Sequence, residues 1–258
     1  MRPTLLLALA LCAVVGLAAA PPMRIAALAP HVVEMLFLLG AGDRIVATVD
    51  YADHPPAARD LPRVGDASAL SLEALVASRP DLVVAWGAAL DPERRARLEA
   101  IVPELLVSEP QDLAAVADEL DVLAGRLGLG GDAARAFRRR LEALEAPEKR
   151  LRVLPLISLL PPMTLGRASF VDDVLRRCGA ENPFATEAGI VMQLSREVLL
   201  VTELDYVLPL VEAPPEALEA LFGRAPAILS IDPDLLARPG PRLLDGAESL
   251  CTLLAAGI

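Results

Sequence analysis

The chain reads as an α/β protein of two Rossmann-like lobes joined by a single long backbone helix. Three observations predict this. Short apolar strands alternate with amphipathic helices from Arg24 to the end of the sequence, the pattern of mainly parallel sheets covered by helices. One stretch near the middle, 132–148 (DAARAFRRRLEALEAPE), reads as one helix: Ala133, Ala136, Phe137, Leu141 and Leu144 recur at three- and four-residue steps, and Arg and Glu cover the remaining faces. The sequence before that helix resembles the sequence after it. Leu70–Val84 (LSLEALVASRPDLVV) overlays on Leu194–Leu208 (LSREVLLVTELDYVL). Both run Leu-Ser-x-Glu-x-Leu, then an Asp six residues later, then an apolar strand.

In order, Arg24–Ala29 is a short apolar strand, ended by Pro30, and His31–Leu39 is a helix closed by Gly40 and Gly42. Arg44–Thr48 is a second strand, followed by a loop over Val49–Asp60 that Pro55-Pro56 breaks. Ser71–Ser78 is a helix and Asp81–Ala85 a strand, with Trp86-Gly87 at its C-terminal end. Pro92–Ile101 is helical, Leu105–Val107 is a short strand, and Gln111–Leu127 is a helix. Gly130-Gly131 breaks that helix, Asp132 is placed to cap the linking helix, and Pro147 limits it. The second lobe restarts with a strand over Leu151–Ser158, broken by Pro161-Pro162. It continues with helices at Ser169–Arg177, Arg196–Val201, Pro215–Phe222 and Pro241–Ala255, and strands at Asp205–Leu210 and Ala227–Ser230. The resulting division is 1–20, a leader; 21–130, the first lobe; 131–149, the linking helix; and 150–258, the second lobe.

With 258 residues, 54% hydrophobic, the chain is long enough for a sizeable core. A net charge of −11 repels phosphate, and the only basic run, Arg138–Arg140, is explained by a solvated helix face, so nucleic acid is excluded as a partner. Residues 1–20 have a positive start at Arg2, an apolar core over Leu5–Val15 and a small-residue end, which is a secretory signal peptide. Cleavage after Ala18 or Ala20 leaves a soluble exported chain; Cys12 does not read as a lipid-anchor site, because Leu11 before it is bulky. Two cysteines then remain, Cys178 and Cys251, in a chain bound for an oxidising compartment. A disulfide is the simplest reading; two buried free thiols are the alternative.

No nucleophile elbow, Gly-rich phosphate loop or HExxH motif is present, so the chain is not read as an enzyme and no catalytic residue is assigned. His31 and Glu34 lie three apart on one helix, but two histidines in the whole chain are thin for a metal receptor, and no metal site is assigned. If either histidine approached a ligand's metal axially, His31 would be the better placed. In the two overlaid segments, Ser71 and Ser195 are natural N-caps. Glu73 and Glu197 fall in the first turn, where the helix dipole favours a negative charge. Two such acids at equivalent places also suit a pair of prongs pressed into arginines of a two-fold symmetric partner.

The string RIAALAPHVVEMLFLLGAGDRIVATVDYADHPPAARDLPRVG resembles the start of the helical-backbone substrate-binding proteins of ABC importers, receptors for vitamin B12, haem, ferric siderophores and some metals. The segments DYADHPP, LSLEALVASRPDLVVAWG, VLRRCGAENPF, QLSREVLL and DLLARPGPRLLDGAESLCTLL extend the resemblance over almost the whole chain after the leader, and it is greatest to the corrinoid-binding members. It implies a monomeric periplasmic receptor that holds cobalamin or a related corrinoid between its lobes, carries no resident cofactor, and delivers its ligand to a membrane permease dimer. By position it implies that Tyr51, Trp86 and the loop Asp234, Leu235, Leu236, Ala237 and Arg238 contact the ligand. It further implies that Glu73 and Glu197 dock on permease arginines, and that Cys178 and Cys251 pair. The residues alone also allow Tyr51 as a surface aromatic, Trp86 as packing, and Asp234 with Arg238 as an exposed ion pair. Where corrinoid receptors carry further tryptophans, this chain has Ala67, Val191 and Leu235, which removes aromatic contact area from the expected cleft.

Overall fold

Four short apolar runs build the sheet of the first lobe. In a computed structural model that describes residues 22–66, 69–146, 150–185 and 189–257, they are β1 (Ile25–Leu28), β2 (Ile45–Thr48), β3 (Leu82–Trp86) and β4 (Leu105–Ser108), all parallel, in the order β2-β1-β3-β4. The expected leader over 1–20, and Ala67, lie outside the described residues. β1 is wholly buried, which is why it reads as a continuous apolar run and not an alternating one. Helices α1 (Pro30–Leu38), α2 (Leu72–Ala77) and α3 (Pro92–Ile101) cover the sheet. Ser71 caps α2 by accepting from the Ala74 N–H, as the sequence predicts, and Asp91 caps α3 in the same way.

Between the lobes the chain forms two helices, α4 (Leu113–Arg126) and α5 (Asp132–Glu142), which pack against each other. The helix expected over 132–148 is therefore shorter, its N-cap is Gly131, and Asp132 lies inside it in an ion pair with Arg135. The helix stops at the Ala143 cap; residues 147–149 lie outside the described residues. Arg138 of α5 pairs with Asp118 and Asp121 of α4. The helix pair is tied to both lobes. Glu104 of the first lobe pairs with Arg126, and Arg44 donates to the Leu127 carbonyl. At the other end of α4, the Leu113 N–H donates to Asp173 of the second lobe at 3.1 Å. Arg140 of α5 pairs with Asp245 and Glu248, also in the second lobe.

The second lobe has a smaller parallel sheet, β5 (Leu151–Leu156), β8 (Ala180–Glu181) and β10 (Tyr206–Pro209), in the order β10-β5-β8. Three strands not foreseen from the sequence pair antiparallel beside it: β6 (Ser158–Leu159), β7 (Pro162–Leu165) and β9 (Val191–Gln193). Helices α6 (Phe170–Arg177), α7 (Arg196–Val201), α8 (Pro215–Phe222) and α9 (Arg242–Ala256) complete the lobe. The strand expected over 227–230 is reduced to one bridge, Val207 to Ile228.

One apolar core runs through both lobes and the helix pair between them. It includes Ile25, Val32 and Leu36 of the first lobe, Leu120 and Phe137 of the linking pair, and Val174, Leu243 and Leu250 of the second lobe. Cys178 at the end of α6 and Cys251 in α9 are joined by a disulfide, with Cα atoms 4.6 Å apart, closing the alternative of free thiols. Among the described residues no helix is long and apolar enough to cross a membrane.

The disulfide closes a loop of 73 residues, for which chain-entropy arguments give a stabilisation of about 4 kcal/mol. Cys178→Ala with Cys251→Ala should therefore lower the calorimetric melting temperature by about 10 °C, taking a few degrees per kcal/mol for a chain of this size. An unchanged midpoint would show that the bridge contributes nothing to stability.

Candidate ligand-binding site

The C-terminal ends of the parallel strands carry the loops that hold most of the expected ligand contacts, the place where open α/β sheets bind ligands. Trp86 is the last residue of β3 and stands opposite Ser108, the last residue of β4. Its indole meets the His31 ring edge-on, with centroids 5.7 Å apart and planes at 78°. His31, in the first turn of α1, is buried, and its Nε2 lies 2.9 Å from the Ser108 hydroxyl. That hydroxyl donates to the Glu119 carboxylate of α4, whose other oxygen accepts from the Glu109 N–H at 2.8 Å. Because the single hydroxyl proton goes to Glu119, the imidazole supplies the other from Nε2. A chain Glu119–Ser108–His31–Trp86 thus runs from the linking pair to the aromatic at the strand end. Burial, and then the Arg238 charge, push the His31 pKa down to about 4, so the ring is neutral at physiological pH. With Nε2 engaged and the ring buried, His31 is not placed to act as an axial ligand to a bound metal complex.

Tyr51 follows β2 and adopts a left-handed backbone, φ +65°, which is uncommon for an aromatic residue. The residue is 76% exposed. Two residues on, Asp53 meets the second lobe: Arg238 Nη1 donates to its Oδ1 at 3.0 Å. Arg238 also lies 3.6 Å from Glu34 Oε1 of α1, and Arg242 Nη2 donates to that same oxygen at 2.8 Å. Glu34 is buried. Two acids of the first lobe and two arginines of the second therefore form one cluster across the lobe boundary. Burial opposes the Asp53 charge, but the Arg238 hydrogen bond and charge outweigh it and hold its pKa below the usual carboxylate range. Burial likewise lowers the pKa of Arg242, and the Glu34 hydrogen bond and charge reverse this.

The expected contact loop splits into two groups. Asp234 and Leu235 lie in a 3-10 turn, Pro233–Leu235, which Asp232 caps by accepting from the Asp234 N–H. Asp234 and Ala237 are exposed, Leu235 is half-buried, and Arg238 turns towards the first lobe. Leu236 is a correction: at 1% exposure it belongs to the core, with its side chain beside Gly246 of α9, and is out of reach of a ligand. The apolar spacing of DLLAR does not reveal which leucine turns inward.

Beyond β5, the antiparallel strands bring up Leu160 and Ile190, which the sequence reading missed, together with Val191, which it names. Leu160, between β6 and β7, is 93% exposed, and Ile190 and Val191 are also exposed beside β7. Leu160 stands in the turn beyond the C-terminal end of β5, Val191 pairs with Leu165 at the other end of β7 with Ile190 next to it, and all three are aliphatic. A cavity of about 420 Å³ lies elsewhere at the lobe junction, between α1, α5 and α9, lined by Phe37, Phe137 and Pro241 with Glu34 and Arg242. It is far too small for a corrinoid. Glu73 and Glu197 are exposed in the first turns of α2 and α7, capped by Ser71 and Ser195. The Glu197 carboxyl is held below its usual pKa by the backbone N–H at the helix start and by the Ser195 hydroxyl.

Two lobes with parallel sheets, a packed helical connection, and contact loops that meet across the boundary define a substrate-binding protein of the bilobal type. The chain belongs to the periplasmic binding protein family, whose family model matches residues 25–212. It is 30% identical over 247 residues to the vitamin B12-binding protein of Vibrio cholerae, covering 91% of this chain and 90% of that one. To the protein of the same name from Vibrio vulnificus (strain CMCP6) it is 29% identical over 263 residues, covering 94% and 93%. Among solved structures, the periplasmic vitamin B12 binding protein BtuF of Vibrio cholerae superposes with a TM-score of 0.80 at 30% identity, over 92% of this chain and 98% of that one. The periplasmic haem-binding protein BhuT, in complex with two haems, gives 0.76 at 26% identity, over 91% and 98%.

The His31 environment makes a pH prediction. Above about pH 6.5 the imidazole is neutral in both folded and unfolded chains. As pH falls below that value the unfolded chain takes up a proton that the buried ring refuses, so stability is lost down to the folded pKa of about 4. The loss from this group is about 3 kcal/mol at most. In thermal melts across this window, His31→Asn should show a shallower acid-side decline than the parent; parallel curves would contradict the assignment.

Proposed function

We propose that this chain is a periplasmic receptor that captures a corrinoid, cobalamin foremost, non-covalently between its lobes and delivers it to an ABC importer. The observation that carries the reading is a likeness to vitamin B12-binding proteins that holds in both sequence and fold. Relatives named for vitamin B12 match the chain over nine-tenths of its length, and a vitamin B12 binding structure superposes on both lobes together. The exposed Tyr51 ring and the strand-end Trp86 supply flat faces in the first lobe, and Leu160, Ile190 and Val191 supply an aliphatic wall in the second. Asp234 and Arg238 add polar contacts. The reading uses no catalytic residue and no resident cofactor, and the leader expected over 1–20 supports export to the periplasm.

Haem is the second reading, favoured by the likeness to BhuT. The aliphatic wall suits any large, flat, partly apolar ligand, and the buried, hydrogen-bonded His31 weighs against coordination of haem iron by that residue. Titration of the mature chain with cyanocobalamin, cobinamide and haemin separates the two. Trp86 is the only tryptophan, so its fluorescence reports on the site directly. Cyanocobalamin should bind one-to-one, and Trp86→Ala should weaken it by about tenfold or more, as for a buried aromatic anchor. Saturable binding of haemin alone would move the substrate and keep the receptor class.

Glu73 and Glu197, first-turn acids of α2 and α7, are the proposed contacts with arginines of the permease dimer. Val198, Leu200 and Val201 stand exposed beside Glu197 and add apolar area to that prong. Glu73→Ala with Glu197→Ala should abolish co-purification with the permease and leave corrinoid affinity at the parent value. Normal docking by the double variant would remove both residues from that role.

A further inference from the structure

The acid–arginine cluster at the lobe boundary has a role that ligand contact alone does not explain. Arg238 stands in the loop expected to touch the ligand, yet its guanidinium is already engaged from the opposite lobe, by Asp53 at 3.0 Å and Glu34 at 3.6 Å. Arg238 is 19% exposed and Glu34 3%, so these charges are not a freely solvated surface pair. Glu34 Oε2 is buried without a hydrogen-bond partner, which leaves the carboxylate dependent on the two cations that reach Oε1. The backbone next to Arg238 is fixed as well. A Cβ on Gly240 would stand 3.0 Å from His31 Cβ and 3.3 Å from Glu34 Oε2, so the second lobe approaches α1 to backbone contact here.

We infer that Asp53 and Glu34 are positioning residues that hold the Arg238 guanidinium in place across the lobe boundary before ligand arrives. Resting on the corrinoid reading, this makes them determinants of affinity that act through Arg238 without touching the ligand. A long arginine side chain held in one geometry has less rotamer freedom to lose on binding, which is how preorganisation raises affinity. Asp53 is the residue to test, because it is half exposed and its removal leaves no buried charge, whereas Glu34 lies in the core.

The experiment uses the mature chain with Asp53→Asn, Asp53→Glu, Arg238→Gln and the Asp53→Asn/Arg238→Gln pair. Cyanocobalamin affinity is read by calorimetry, and hydrogen exchange of the backbone amides over 50–54 is read without ligand. Asp53→Asn should weaken binding about five- to tenfold, as expected for loss of a charge-assisted hydrogen bond. Asp53→Glu should recover part of the loss. The paired variant should bind no worse than Arg238→Gln alone, because Asp53 acts only through Arg238. Both single variants that break the pair should speed exchange in the loop. Unchanged affinity in Asp53→Asn, or losses that multiply in the pair, would overturn the inference. If the parent binds no corrinoid, the functional reading falls and the exchange data still decide the positioning role: faster exchange in Arg238→Gln supports it, and unchanged exchange overturns it.

Discussion

A buried carboxylate needs compensating charge, and at Glu34 that charge comes from the other lobe. Arg242 and Arg238 reach one oxygen of Glu34, and Arg238 continues to Asp53. Separating the lobes at this point would break both ion pairs of Glu34 at once and strip the cover that Gly240 gives it. The cluster therefore constrains how the lobes sit before any ligand is bound. The loops that carry Tyr51, Trp86 and Arg238 inherit their relative positions from it.

Other contacts act in the same direction. The apolar core is continuous through α4 and α5, so the connection is part of the packed interior and not a tether. Asp173 of the second lobe accepts from the first N–H of α4, where the helix dipole also favours an acid. The chain Glu119–Ser108–His31–Trp86 then links α4 to the strand-end aromatic. These contacts fix the strand-end loops relative to one another. Large hinge closure, which requires a few residues free to change their backbone angles, has little room here.

Much of the fold was legible because the signals are local. Pro92–Ile101, Arg196–Val201 and Pro215–Phe222 fall where helical spacing and capping residues put them. The paired Ser-x-Glu starts of α2 and α7 form in both lobes, and Cys178 and Cys251 are joined. What failed to show depends on distant partners. The antiparallel strands β6, β7 and β9 are two to four residues long and carry no alternation. The linking element divides into two helices because Gly128 and the residues after it turn the chain back; the sequence places that break correctly but gives the connection to one helix alone.

The site was legible only in part. Trp86 ends β3, where the strand pattern puts it, and Tyr51 lies in the loop after β2, where the Pro-broken stretch over 49–60 puts it. The inward turn of Leu236 and the engagement of Arg238 by an acid 185 residues away follow from tertiary packing. No periodicity reports them. His31 and Glu34 read as two isolated polar residues on an apolar helix, and their partners Ser108, Arg238 and Arg242 lie in other elements.

The Glu34–Arg238–Asp53 cluster and the continuous core hold the lobes at one spacing before ligand arrives. Spin labels on the exposed faces of α2 and α8, one in each lobe, report that spacing as a distance distribution by pulsed electron resonance with and without cyanocobalamin. A single narrow distribution that scarcely moves on binding is expected. A broad distribution in the free protein that collapses to a shorter distance with ligand would contradict it.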